Sequence, residues 1–585
     1  MAKGKKLTQN VNKDKFFNDL PDVHPLISSW LSRHTNYQSS NLGRIVPIYY
    51  DEILPNEERE IRMAMTSHTT TPIAPIFNSL YTEIRSFFVP MRLAADLLNG
   101  YKTRKSPWVK VFGEDNASED SKVIVALDEQ SLPTFTVDHQ FIQDLGDYDD
   151  SFDTYDNVFD SLDLNLTVGS SHEQNFLNLA AYELIYQRHY RNENYEAASS
   201  SPLYRLLFDA YNENKASSEL LPTFTYEIAN REKDYFTGMK PFTQKGDPVT
   251  INIGQSADVK LKDSFKIGSK LESGDISQIA KQKVGVEGAY GDAGSQIIGL
   301  HHKELLGDEG NFVDAVDFNA AYFDPNGTMY ADLSSLQGIS IEQLRVLIKT
   351  QELLEKDAMY GSRYAESLNS HFGCCPLDET LQDPAELYKV TITSNMQAIF
   401  QTSSTSGESS ILGTIGANST TQTDPFVILP KTKFKEHGIL MICAVHKLQN
   451  VYDTRFFKPK FNFKHKRFDF YTPELNDLGF QPVEGGKEMM LASGDAGFNE
   501  AFAEYRYKFN KCHGSLNEDF PYWAPSIAGE YETAASLYKE STEILDKALS
   551  VRSESAPQFY DAWGFEETNT KPMSLHSIPG FDGVI

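Results

Sequence analysis

Residues 340–388 read SIEQLRVLIKTQELLEKDAMYGSRYAESLNSHFGCCPLDETLQDPAELY. Ile341, Leu344, Leu347, Ile348 and Leu354 recur at helical spacing, so the first half is expected to be an amphipathic helix with one apolar stripe. Ser340 and Gln343 suit a capping box, the hydroxyl accepting from an orphan backbone N–H while the amide side chain reaches back. Gly361 is placed to stop or bend the helix. Arg363-Tyr364, His371-Phe372-Gly373 and Leu381-Gln382-Asp383-Pro384 follow neither a helix nor a strand period. His371 beside Phe372 reads as a packed, hydrogen-bonded core histidine rather than a ligand.

Working outward, the flanks carry strand signals. Tyr388, Val390, Ile392, Met396, Ala398 and Phe400 alternate and are expected to form the buried face of a strand. Ser403 to Thr423 is rich in Ser, Thr and Gly and reads as a loop. Phe426 to Leu429 and Ile439 to Val445 are short apolar runs, and the second, apolar on both faces, suits a central strand. Toward the N-terminus, Arg44 to Tyr50 is a strand that Pro47 confines to an edge or bulge. Leu80 to Val89 is another, with Leu80, Thr82, Ile84 and Ser86 on one face and Tyr81, Glu83, Arg85 and Phe87 on the other. Strands joined by very long connections are the sequence form of a jelly roll carrying large insertions.

Composition excludes several classes. With 54 Lys and Arg against 82 Asp and Glu, the formal charge of -28 rules out a protein that coats nucleic acid uniformly, so any such contact is a local basic face. Two places fit. Lys3, Lys5, Lys6, Lys13 and Lys15 face only Asp14 and Asp19 in the first twenty residues; a solvated terminus is the plain alternative. Arg455 to Phe470 (RFFKPKFNFKHKRFDF) interleaves basic and aromatic residues, the combination that single-stranded DNA requires. On a strand, Lys460, Asn462, Lys464 and Lys466 would line one side and Phe461, Phe463 and His465 the other, and Arg467 closes the same basic run. A strand that buries its Phe face cannot also stack bases on it, which is the structural alternative.

Other segments carry less chemistry. Asp144 to Asp163 holds eight aspartates and no Lys or Arg, with Tyr148, Phe152, Tyr155, Phe159 and Leu162 at steps of four and three. An acidic solvated segment is expected, since Asp147, Asp149 and Asp150 lack the glycine a calcium loop needs, Phe152 standing in its place. Gly285, Gly288, Gly291 and Gly294 mark a glycine-rich loop, and His301, His302 and Glu304 lack further ligands for a metal site. The four cysteines show no CxxC spacing and are read as reduced thiols. No cofactor is expected, and membrane insertion is not, because no run is long and apolar enough. HExxH, GxSxG and P-loop motifs are absent, so no catalytic residue is assigned; a glycoside hydrolase or a carbohydrate- or receptor-binding β-sandwich is the alternative.

The aperiodic elements of 340–388 resemble the major capsid proteins of microviruses, small single-stranded DNA bacteriophages, and most closely the gokushovirus-like branch. Gln343 to Arg345, Leu353 to Ala358, Gly361 to Tyr364 and Ser370 to Gly373 match that family's runs in order. Phe87-Phe88-Val89-Pro90, Ala181 to Asn194, Asp234 to Gly246, Phe468 to Val483 and Glu504 to Lys508 match further ones, so the resemblance spans Leu42 to Trp523. Thr243 replaces the second proline of the family's turn, and Asp383 replaces a basic residue that relatives carry after Leu381-Gln382.

The resemblance implies a mainly β fold, an eight-stranded viral jelly-roll β-sandwich with long, partly helical loop insertions. It implies a T=1 icosahedral shell of identical subunits around circular single-stranded DNA. It further implies a small basic internal DNA-binding protein, a pilot protein and a host cell-surface receptor as partners, a virion location, and assembly in the bacterial cytoplasm. The expected division is a basic arm (1–40), first strands and following helix (41–112) and an acidic and helical insertion with a mid-chain strand (113–254). A variable surface-projecting insertion (255–334, with 113–172 as the second candidate), the helix and remaining strands (335–530) and a C-terminal extension (531–585) follow.

Overall fold

The computed structural model describes residues 26–98, 106–111, 157–164, 171–198, 225–247, 341–360, 363–374, 377–394, 420–490, 494–529 and 537–576, with isolated residues and short strands between them. Eight strands build a sandwich: β1 (Ser28–Ser40), β2 (Val46–Ile53), β3 (Glu58–Thr69), β4 (Leu80–Pro90), β5 (Ala385–Ser394), β6 (Thr420–Gln422 and Phe426–Lys433, two runs on one edge of β3), β7 (Gly438–Leu448) and β8 (Phe559–Lys571). One sheet has the order β1-β8-β3-β6 and the other β5-β4-β7-β2, all antiparallel. Chain order thus hops between the sheets, and this is the connectivity of an eight-stranded jelly roll.

The reasons are local. β7 is buried along its whole length, so it takes a central place between β4 and β2. β2 carries Pro47 and lies at the sheet edge, where a missing N–H costs nothing. Ile48 and Ile53 of β2, Ile61, Met63 and Met65 of β3, Ile84 of β4 and Trp563 and Phe565 of β8 share one core. β4 runs straight into α1 (Met91–Leu98); α1 and α2 (Leu177–Ile185) pack on the β4/β7 side of the same core. Tyr182 of α2 donates to the Ile45 carbonyl at 2.8 Å and accepts from the Glu227 N–H at 3.0 Å, which pins the helix to the chain entering β2. A second core joins Tyr235, Phe236, Tyr452, Phe457, Ile527 and Leu545 from the long connections.

Several expectations are corrected. The arm assigned to 1–40 ends earlier, because Ser28–Ser40 pairs with β8 over its full length. The extension assigned to 531–585 contains β8, a central strand of its sheet. In the acidic segment, Val158, Phe159, Leu162 and Leu164 are buried in the main core rather than solvated, Asn157 accepting from the Phe159 N–H at 2.9 Å to start a short helical turn. A bulge at Glu386/Tyr388 leaves Tyr388 40% exposed and turns Leu387, Val390 and Ile392 inward.

The helix read from 340–388 is present as α3 (Ile341–Tyr360), followed by α4 (Tyr364–Phe372), which Gly373 closes at φ 66°. Its stripe does not enter a core: Ile341 is 77% exposed and Ile348 56%. His371 is hydrogen-bonded at 2.6 Å to Asp357, yet Phe372 beside it is open to solvent. Ser340, Gly361, the Asp147–Asp150 group, His301, His302 and Glu304 lie outside the described residues.

Residues Gly246–Leu354 form a compact unit of their own, which contains the expected 255–334 insertion. Its described strands pair in short antiparallel ladders, Asp258–Leu261 with Met329–Asp332 and Gly268–Lys270 with Ile276–Gln278 and Ala321–Tyr322.

Candidate nucleic-acid interface

The basic and aromatic tract after β7 does not form the expected strand. Val451–Asp453 pairs in parallel with Asn510–Cys512, and the chain then turns. The buried Asp453 carboxylate accepts from the Arg455 N–H at 2.8 Å and from its guanidinium, while the Phe456 and Phe457 N–H groups bond the Asp453 carbonyl. Phe457 is the anchor, buried against Phe236 and Tyr452. Pro459 then opens one 3₁₀ turn at Lys460–Phe463, and a second follows at Arg467–Asp469. In the second the Asp469 carboxylate accepts from the His465 and Lys466 N–H groups at 3.0 and 2.8 Å, bonds that hold it below the usual carboxylate range. With the N–H groups of 465 and 466 spent on a side chain, no sheet ladder forms there.

The consequence reverses the burial expected of a strand. Phe461 is 70% exposed and Phe468 75%, with Lys466 and Arg467 open beside them. Lys460 is half-buried, its Nζ donating to the Pro482 carbonyl at 3.2 Å. Lys464 is the exception among the expected contact residues: its side chain is 3% exposed, paired with Glu504, and its ammonium sits 4.2 Å from the Tyr505 ring centroid. The Lys464 ammonium is thus held within the subunit, between Glu504 and the Tyr505 ring.

The partner segment escaped the DNA reading of the sequence. Ala503–Arg506 forms a single helical turn after Phe502, which adopts φ 58°, and presents Tyr505, Tyr507, Lys508 and Lys511 to solvent. Lys508 Nζ donates to the Glu504 carbonyl at 2.9 Å, and Lys511 lies 5.0 Å from the Phe509 ring centroid. A cavity of about 220 Å³ opens between Lys460, Phe461, Tyr505, Tyr507 and Lys508. The Tyr-Arg-Tyr-Lys run at 505–508 has the same interleaving of rings and cations as 455–470, and that was the signal. Lys460, Phe461, Tyr505, Tyr507 and Lys508 thus lie about one opening, ammonium groups beside aromatic rings, a combination that suits phosphates and unstacked bases. Lys3, Lys5, Lys6, Lys13 and Lys15 lie outside the described residues. Among the described residues no group of His, Cys, Asp and Glu is placed to hold a metal ion, and no helix is long and apolar enough to cross a membrane.

Comparison with known proteins agrees with the sandwich. The family described as "Capsid protein (F protein)" matches residues 28–581, a span that includes both β1 and β8. The capsid protein VP1 of Bdellovibrio phage phiMH2K is 27% identical over 97% of this chain and 98% of its own length. The capsid protein VP1 of Spiroplasma virus 4 is 27% identical over 94% of each chain, and that of Chlamydia phage 1 is 27% identical over 99% of each. The jelly-roll topology and these end-to-end matches place the chain in the phage capsid protein (F protein) family, as a major capsid protein of the gokushovirus-like microviruses.

Proposed function

We propose that copies of this chain close into a T=1 icosahedral shell around a circular single-stranded DNA genome, and that the surface made by 455–471 and 503–511 faces that DNA. The observation that carries the DNA contact is the exposure of Phe461 and Phe468 beside Lys466 and Arg467, because rings left open next to cations have no packing role within the subunit. A subunit of charge -28 needs its cations segregated toward a polyanion. The lysines at positions 3, 5, 6, 13 and 15 would add to the inner face, and a small basic internal protein would supply the remaining positive charge. A pilot protein and a host cell-surface receptor complete the partner set, with the 255–334 insertion as the outward projection and assembly in the host cytoplasm.

Native mass tests the shell. Expressed full-length chain is expected to yield closed particles of megadalton mass; material that stays monomeric under assembly conditions would contradict it. The contact surface is tested separately on unassembled subunits: Phe461→Ala with Tyr505→Ala is expected to weaken oligothymidylate binding by about tenfold or more.

A further inference from the structure

The two sheets end in four edge strands, β1 and β6 on one and β5 and β2 on the other. A free edge presents unpaired N–H and C=O groups that a strand of another chain can match, so edges meant to stay single are interrupted. Three of the four are. β2 carries Pro47 beside a register shift against β7, β5 carries the bulge at Glu386/Tyr388, and β6 carries Pro430 and two register shifts against β3.

β1 has none of these devices. Its 13 residues, Ser28–Ser40, pair with β8 in one unbroken register and include neither proline nor glycine. Among the described residues, no backbone–backbone hydrogen bond joins β1 to anything but β8. The row Ser29, Leu31, Arg33, Thr35 and Tyr37 is exposed, Leu31 at 61% and Tyr37 at 81%. A cavity of about 660 Å³ lies along the same strand, lined by His34 to Ser39 and by Pro47 to Tyr50 of β2. Charge singles the strand out as well. In a chain of charge -28, Ser28–Ser40 holds no Asp or Glu, and its single Arg, Arg33, is bonded at 2.8 Å to Glu566 of β8. Two copies of the subunit can therefore pair here without setting carboxylate against carboxylate on the facing strands.

We infer that β1 is an assembly edge, which pairs antiparallel with β1 of a second copy across a two-fold axis at His34 and joins two sheets of four strands into one of eight. Side chains select the register. Only pairings whose residue numbers sum to an even number keep the exposed row opposite the exposed row. An axis at Arg33 sets two guanidinium groups face to face, and an axis at Thr35 sets Leu31 against Ser39. The axis at His34 sets Leu31 opposite Tyr37 on both sides of the two-fold and Arg33 opposite Thr35, so the two exposed apolar side chains cover each other. It also brings Trp30 of the second copy beside Gln38, which lines the cavity. This pairing rests on the reading of the chain as a subunit that assembles with itself, and it names the strand through which two copies meet.

Opposite residues of an antiparallel pair have Cα atoms about 4.5 to 5.5 Å apart, within reach of a disulfide. Oxidation of the full-length Leu31→Cys, Tyr37→Cys double variant is expected to give at least about tenfold more covalent dimer than either single variant, read on a non-reducing gel before and after assembly. Leu31→Lys with Tyr37→Lys, which sets ammonium against ammonium in both pairs, is expected to lose two-fold association in native mass measurements. An equimolar mixture with Leu31→Glu, Tyr37→Glu chain is expected to regain it. Dimer no more abundant in the double variant than in the single ones would overturn the pairing whether or not particles form, and particles without that dimer would leave the shell standing. Dimer without particles would support the pairing and count against the closed shell. Particles whose β1 amides are protected from exchange but lack the cross-link would give the edge to a different strand, which also overturns the pairing.

Discussion

Nε2 of His446, on β7, lies 2.9 Å from Oδ2 of Asp561, on β8, so a buried polar pair ties the two sheets of the jelly roll to each other. The imidazole is also 2.9 Å from the Thr82 hydroxyl and stacks on Phe559 with ring centroids 4.1 Å apart. Removing Asp561 leaves Nε2 of His446 buried without its partner, while Nδ1 keeps the Thr82 hydroxyl. Asp561→Ala is therefore expected to lower subunit stability by about 3 to 5 kcal/mol in denaturant unfolding; a loss under about 1 kcal/mol would show that the pair does not hold the sheets together.

Gly43 sits where β1 passes into β2, with φ 78° and its N–H bonded to the His446 carbonyl at 2.8 Å. A Cβ built there would lie 2.3 Å from the Cβ of Glu540. Gly43→Ala combines left-handed backbone strain with a collision against a buried side chain. A loss of about 2 to 4 kcal/mol is expected, read as a fall in the melting temperature of the unassembled subunit.

Glu83 gives the acid dependence a sign. Burial alone would push its carboxyl up, but Lys447, Arg85 and Lys389 pull it below its ordinary value. A carboxyl depressed in the folded state contributes stability that is present above the unfolded value and is lost as pH falls through the folded one. Wild type should therefore lose stability relative to Glu83→Gln as the medium is acidified below the ordinary glutamate range, about pH 4. Parallel stability profiles for the two proteins through that range would contradict the linkage.

How much of this was legible in the sequence depended on what each strand faces. β4 and β7 stood out because Ile84, Phe87, Leu440 and Ile442 enter the main core. The interior of the opposite sheet is partly polar, and that hid its strands. Arg59 on β3 is fully buried and bonds Glu57 at 2.6 Å and the Tyr49 hydroxyl at 2.7 Å, with Glu567 of β8 at 3.7 Å. Asp561, Glu567 and Asn569 break the apolar alternation of β8, and Ser32, Asn36 and Gln38 do the same for β1. A period-2 search finds no apolar face in such strands, so a terminal arm and extension were expected in their place. At the candidate site the residue types were legible and the backbone was not. The side-chain bonds of Asp453 and Asp469 that break the strand depend on the folded turn, whereas the composition of 455–470 alternates like a strand.

The DNA content of purified particles tests the central claim most directly. Particles built from a Lys460→Gln, Lys466→Gln, Arg467→Gln and Lys508→Gln subunit should keep the wild-type shell mass and carry less DNA per subunit. Wild-type DNA content in such particles would contradict the assignment of this surface to the genome.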